Sequence, residues 1–255
     1  MTTELLDIFK AQNGIVCCVG AGGKKTTMFT LAAQHPGRVG ITATAHIEYF
    51  PKTLHATKYI AAQDELLQIT KDDFESKCIA FAQPSERRGR RAGIDPDKVE
   101  RFKKSGNFDL LLIKADGARS RFVKAPAEHE PPLPACVNTV IPVISARAIG
   151  KPLTDKIAHR IERISAIAGV YENEIIKPIH IARLLASEEG SLKNTASANV
   201  VPLINMVDNS DLEKLAREVA QTALAMTQRF DYVVLAAMKK ENPIINVIRR
   251  SNSSR

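Results

Sequence analysis

The stretch VGAGGKKTT, residues 19–27, decides how the chain is read. It follows an apolar run, Ile15-Val16-Cys17-Cys18, and precedes a segment of helical composition. A glycine-rich turn between a buried strand and a helix is where a phosphate-binding loop belongs. Glycines let successive backbone N–H groups point inward, and the helix N-terminus adds partial positive charge. The usual spacing, G-x-x-x-x-G-K-[ST], does not fit. With Lys25 as the phosphate lysine, the glycine positions fall on Val19 and Lys24; with Lys24, the hydroxyl position falls on Lys25. A shortened register, G-x-x-G-K, matches Gly20, Gly23 and Lys24 and makes Lys24 the phosphate lysine. Gly20, Ala21, Gly22, Gly23, Lys24, Lys25, Thr26 and Thr27 are therefore the candidate nucleotide-binding residues, with the Thr26 hydroxyl as a candidate Mg²⁺ ligand. The competing reading is a strand-to-helix turn that holds no ligand.

Outward from the loop, apolar runs alternate with amphipathic ones. Strands are expected at 15–19, 38–44, 58–61, 78–82, 108–118, 137–145, 199–208 and 231–238, with a last one in IINVIRR. Helices are expected at 3–10, from the loop to about His35, and at 64–70, 95–104, 154–168, 178–187 and 211–229. Asp95 can cap its helix, and Pro96 suits the first turn. Alternating elements with uninterrupted apolar strands predict an α/β fold, a mostly parallel sheet covered on both faces. The expectation is one three-layer domain over residues 1–250, with a helical segment around 151–195 and a disordered tail at 251–255.

Composition narrows the function classes. The 36 Lys and Arg against 28 Asp and Glu give a net charge of +8 over 255 residues, which suits anionic partners or merely a basic, soluble surface. Only 5% of residues are aromatic and none is Trp, which argues against a base-stacking nucleic-acid platform. Cys17, Cys18, Cys78 and Cys136 form no C-x-x-C pair and read as buried thiols of a reducing compartment. No apolar run approaches the about 20 residues of a membrane helix, and the N-terminus lacks a signal-peptide pattern. The expected location is the cytoplasm, with no membrane partner.

Four further constellations lie on these elements. LLLIKADGAR (110–119) is an apolar strand running into Asp116, and an acid at the carboxyl end of a parallel strand is placed to orient Mg²⁺ or an attacking water. RSRFVKAPAEHEPPLP (119–134) holds Glu128, His129 and Glu130 in a proline-stiffened loop. With Lys124 they are the candidate substrate contacts, loop-bracing being the alternative and metal ligation the weaker one. LINMVDN (203–209) has the N-x-x-D spacing of a guanine reader with Met206 in place of lysine, and a strand-end turn explains it better. TATAH (42–46) sets Thr42, Thr44 and His46 on one face of a strand end. The arginines of ERRGRR (86–91) read as a solvated loop, or as a phosphate clamp if they fold over the sheet edge.

Taken in order, VGAGGKKTT, the threonine-rich strand end, ADGARSRFVKAPAEHEPPLP and GKPLTDKIAHR (150–160) resemble the YqeC family over about residues 14–240. The specific part is the ADGA…KAPAEHEP block. The resemblance implies a P-loop NTPase-like fold. It also implies an accessory role in maturing selenium-dependent molybdenum hydroxylases, with ATP or GTP as the bound nucleotide and a hydroxylase or cofactor-maturation protein as partner. Two alternatives stay open: a non-catalytic carrier of a phosphate-bearing cofactor such as a molybdopterin nucleotide, and a nucleotide-dependent ligase or kinase. Two positions depart from the family pattern. Lys25 stands where the family has Thr, and Lys114 where it has Glu; each swaps a metal-associated group for a cation.

Overall fold

The computed structural model describes residues 2–250, so the expected tail at 251–255 lies outside the described residues. The chain adopts the expected α/β class with mostly parallel strands. It divides into two compact units, and the division falls within the strand before the glycine loop and again after Val140. Within the described residues, the first unit holds 2–18, 25–117 and 132–140; the second holds 19–24, 118–131 and 141–250.

The first unit begins with helix α1 (Thr2–Ile8), which buries Leu5 and Leu6, with Phe9 just beyond it. Then come β1 (Gly14–Gly20), α2 (Lys24–Gln34), β2 (Val39–Ala43), β3 (Ile47–Glu48) and β4 (Thr57–Ile60). They are followed by α3 (Gln63–Asp72), β5 (Cys78–Ala82), β6 (Arg90–Arg91), α4 (Val99–Ser105) and β7 (Leu110–Lys114). The parallel order is β1-β7-β2-β5-β4. Leu110, Leu111, Leu112 and Ile113 are fully buried, which is why β7 reads as a continuous apolar run. Each such side chain contributes about 1.5–3 kcal/mol of burial. Phe81 stacks on Phe102 at 5.1 Å and on Phe108 at 6.0 Å, tying β5 to α4 and to the turn before β7. Asp95 accepts from the Asp97 N–H ahead of a short 3₁₀ turn, Pro96–Lys98, that leads into α4. The register sets Lys114 opposite both Cys18 and Ala43, so the carboxyl ends of β1, β7 and β2 are level.

The second unit contains β8 (Val123–Lys124), the greater part of β9 (Thr139–Ser145), β10 (Ala158–His159), α5 (Ile161–Ala168) and α6 (Pro178–Ala186). It continues with β11 (Asn199–Val200), β12 (Leu203–Asn205), α7 (Ser210–Met226), β13 (Tyr232–Ala236) and β14 (Ile244–Arg249). β9, β12 and β13 run parallel in that order, and β14 closes against β13 antiparallel. One apolar cluster joins β9, β12 and β13 to α5, α6 and α7, through residues such as Ile144, Ile204, Leu235, Ile164, Leu185 and Val219.

Three elements are shorter than their sequence pattern suggests. The helix expected over 154–168 starts only at Ile161. Residues 154–157 form turns, β10 pairs with β8, and Arg160 takes a left-handed conformation, φ +68°, that no helix continues through. The strand expected over 199–208 is interrupted at Pro202, which has no N–H to give to a ladder. The run 108–118 is strand only to Lys114, leaving Asp116 in the connection beyond.

Candidate functional site

The loop after β1 belongs with the second unit as far as Lys24. Gly20, Gly22 and Gly23 adopt φ of +85°, +90° and +129°. A Cβ on Gly20 would lie 2.4 Å from the Val143 carbonyl oxygen, and one on Gly22 would lie 2.6 Å from the Ser145 nitrogen. At Gly23 it would meet the Asn205 amide nitrogen at 2.2 Å. Both conformation and space therefore demand glycine at all three places. The Ala21 N–H donates to the Val143 oxygen at 2.8 Å, fixing the loop along β9. Lys24 opens α2, is buried at 5% exposure, and donates its ammonium to the Gly20 carbonyl. Thr26 and Thr27 sit in the first turn of α2, the former half-buried and the latter fully buried.

Asn205 ties this loop to β12. Its side-chain nitrogen donates to the Gly22 oxygen at 2.8 Å, and its oxygen accepts from the Met238 N–H at 3.0 Å. Buried at 3% exposure, it uses both ends of its amide to hold backbone, so the N-x-x-D spacing here serves the loop. Asp208 is engaged by Arg147 at 2.6 Å, and Met206, at φ +61°, presents its sulfur to the Ser145 hydroxyl at 3.1 Å. The sequence marked Asn205 through that spacing but gave no sign that its partner is the glycine loop.

In the first unit, Asp116 is buried at 2% exposure just beyond β7, where the Ala115 N–H donates to the Cys18 oxygen at 3.1 Å. Lys114 donates to the His46 carbonyl oxygen at 2.7 Å. Lys25 forms an ion pair with Glu48, whose other oxygen takes Arg90 at 3.1 Å. Glu48 was not a candidate from sequence; it lies in β3, which pairs antiparallel with β6 and so brings Arg90 and Arg91 over it. Part of the arginine run is therefore strand, with Arg91 lying 4.3 Å over the Tyr49 ring. His46 is half-buried, and its pKa falls below the ordinary value through burial first, then through Arg87, Lys114 and Arg90. Thr42 donates to the Phe81 oxygen and Thr44 to the Pro132 oxygen, both at 2.8 Å.

The loop over 118–131 is strongly braced. Lys124, its side chain 1% exposed, pairs with Glu130 at 2.6 Å, and Arg160 reaches the same carboxylate oxygen at 2.6 Å. Burial pushes the Glu130 pKa up, but hydrogen bonds and charge from Arg160 and Lys124 outweigh it and hold the carboxyl below its usual range. Arg163 donates to the Pro126 oxygen, Lys193 to the Ala127 oxygen and Asn194 to the Pro131 oxygen, at 2.8, 3.3 and 3.1 Å. Glu130 and Lys124 are thus consumed by structure, whereas Glu128 and His129 stay exposed. Among the described residues no three His, Cys, Asp or Glu side chains assemble as a metal cluster. The glycine cradle fits a phosphate. Nor is any helix among the described residues long and apolar enough to cross a membrane.

A family model described as YqeC protein matches residues 16–162, which take in the glycine loop, Asp116 and the 118–131 loop. The chain is also similar to "Uncharacterized protein YqeC" of Escherichia coli (strain K12), at 28% identity over 183 residues, 71% of this chain and 70% of that one.

Proposed function

The chain belongs to the YqeC family, and from that premise we propose that it is a cytoplasmic, nucleotide-binding accessory protein whose glycine loop holds the phosphates of ATP or GTP. The observation that carries this reading is the loop itself. Three positive-φ glycines, Gly20, Gly22 and Gly23, each with no room for a Cβ, lead directly into α2. A glycine-rich turn running into a helix N-terminus is the backbone form that anion-binding nests take. Lys24, at the head of that helix, supplies the full charge. Asp116, beyond the strand that pairs with β1, orients a metal or a water. The context implied by the resemblance, maturation of a selenium-dependent molybdenum hydroxylase, makes a hydroxylase or one of its cofactor-maturation proteins the partner.

A second reading is favoured by Lys25. It stands in the place of the metal-binding hydroxyl and is tied to Glu48. A loop that grips phosphate without a metal hydroxyl suits a carrier of a phosphate-bearing cofactor, such as a molybdopterin nucleotide, better than a hydrolase. Nucleotide titration of two variants tests the loop assignment. Lys24→Ala should weaken binding by about 2 kcal/mol or more, the loss of a charge-assisted contact, and Lys25→Ala by much less. If Lys25→Ala is the more damaging change, the register is wrong.

A further inference from the structure

We propose, resting on the phosphate reading of the glycine loop, that an open groove in the second unit takes the base of the same nucleotide and prefers guanine to adenine. The groove has a volume of about 450 Å³. Small-molecule sites run to roughly 300–1,000 Å³ and combine an apolar lining with a few polar groups. Here Phe122, Ile149, Ile157 and Leu212 supply the apolar part, and Arg147, Lys151, Asn209 and Asp211 the polar part. Ile149 is buried and the other three apolar residues are half-buried, whereas all four polar residues are exposed. The apolar side chains are therefore the floor and the polar ones the rim, a form that suits the face of a flat ring.

Ser145 ties this groove to the glycine loop. Its N–H donates to the Phe122 oxygen at 3.0 Å, and its hydroxyl accepts from the Arg147 N–H at 3.2 Å. The same residue packs against the loop, since a Cβ on Gly22 would lie 2.6 Å from its nitrogen and 2.7 Å from its Cβ. Groove and loop thus flank one residue at the carboxyl end of β9, the end of a parallel strand where ligands of α/β sheets sit. A nucleotide needs such a pair of sites, one for its phosphates and one, a sugar away, for its base.

The rim decides which base. Arg147 is held by Asp208, its Nε and Nη2 donating to one carboxylate oxygen at 2.7 and 2.6 Å. Asn209 spends its side-chain oxygen on the Leu212 N–H at 2.9 Å, capping α7. Lys151 and Asp211 are left to read an edge. The Lys151 ammonium forms no ion pair among the described residues. Asp211 pairs only loosely with Lys214, at 3.9 Å with both side chains solvated, a contact of little strength. Guanine carries an acceptor, O6, beside two donors, N1–H and the 2-amino group. A carboxylate accepts from both donors, and an ammonium gives to the O6 acceptor. Adenine reverses this edge. It would turn an amino group toward Lys151 and a lone pair toward Asp211, so both contacts would repel.

The test is to follow the methyl NMR signals of Ile149, Ile157 and Leu212 while titrating the full-length protein with GTP, ATP and inorganic tripolyphosphate. GTP should shift them, and tripolyphosphate, which has no base, should not. GTP should bind about tenfold more tightly than ATP, and Asp211→Asn, an exposed change that leaves the floor intact, should abolish that preference. Methyl signals that ignore GTP overturn the proposal. So does equal affinity for GTP and ATP, and so does a preference that Asp211→Asn leaves untouched. Tripolyphosphate separates this site from the glycine loop. If it binds while GTP leaves the methyl signals unmoved, the groove assignment fails alone. If it neither binds nor competes while GTP still moves them, the loop reading fails and the groove stands.

Discussion

Glu130→Gln removes one charge from the brace beneath the 118–131 loop and keeps its shape. In the native chain Lys124 and Arg160 meet the same oxygen at 2.6 Å, and the Lys124 side chain is only 1% exposed. The variant leaves an ammonium buried against a neutral amide. Breaking a buried ion pair from one side costs about 3–5 kcal/mol, mostly from the stranded charge. At about 2–4 °C per kcal/mol for a chain of this size, the melting temperature should fall by about 6–20 °C. Glu128→Gln, two residues away and exposed, is the control and should change stability by no more than about 0.5 kcal/mol. The Glu130 carboxyl also predicts a pH dependence. Its folded pKa lies below the ordinary value, so its contribution is complete above the ordinary glutamate pKa and disappears as pH falls through the depressed one. The gap between native and Glu130→Gln melting curves should accordingly close in acid. Equal melting temperatures for Glu130→Gln and Glu128→Gln at neutral pH would refute the brace.

Asn205→Ala should cost about 1–3 kcal/mol, because it leaves the Gly22 carbonyl and the Met238 N–H without their buried partner, and should weaken nucleotide binding with it; thermal melts and a titration check both. Lys25→Thr restores the family hydroxyl and releases Glu48, so Mg²⁺ should strengthen nucleotide binding more in the variant than in the native protein when the two titrations are compared. Asp116→Asn should leave the circular dichroism spectrum unchanged while removing any Mg²⁺ effect on binding, and an unaltered Mg²⁺ titration would sink its assignment.

Much of this architecture was legible because burial on both faces writes itself into sequence. β1 and β7 are continuous apolar runs for that reason, and the glycine spacing between β1 and α2 reports a turn that admits no Cβ. The losses have a common origin in non-local pairing. Residues 154–159 carry a helical pattern, yet Ala158 and His159 pair with Val123 and Lys124, some 35 positions earlier. Ile47–Glu48 and Arg90–Arg91 likewise meet across about 40 residues, which turns an apparently solvated arginine run into a partner for Glu48. In the candidate site, the glycine positions could be read from spacing. The partners of Lys25 and Lys114, and Arg160 as a partner of Glu130, could not, since each lies far away in sequence.

The central claim is that the glycine loop holds nucleotide phosphates. Calorimetric titration of the purified protein with ATP and with GTP, each with and without Mg²⁺, tests it most directly. The account predicts saturable one-to-one binding of at least one of the two, kept to a large extent without Mg²⁺ because Lys25 occupies the metal hydroxyl's place, and lost in Lys24→Ala. Absence of saturable binding by either nucleotide at millimolar concentration, or binding that Lys24→Ala leaves untouched, would contradict it.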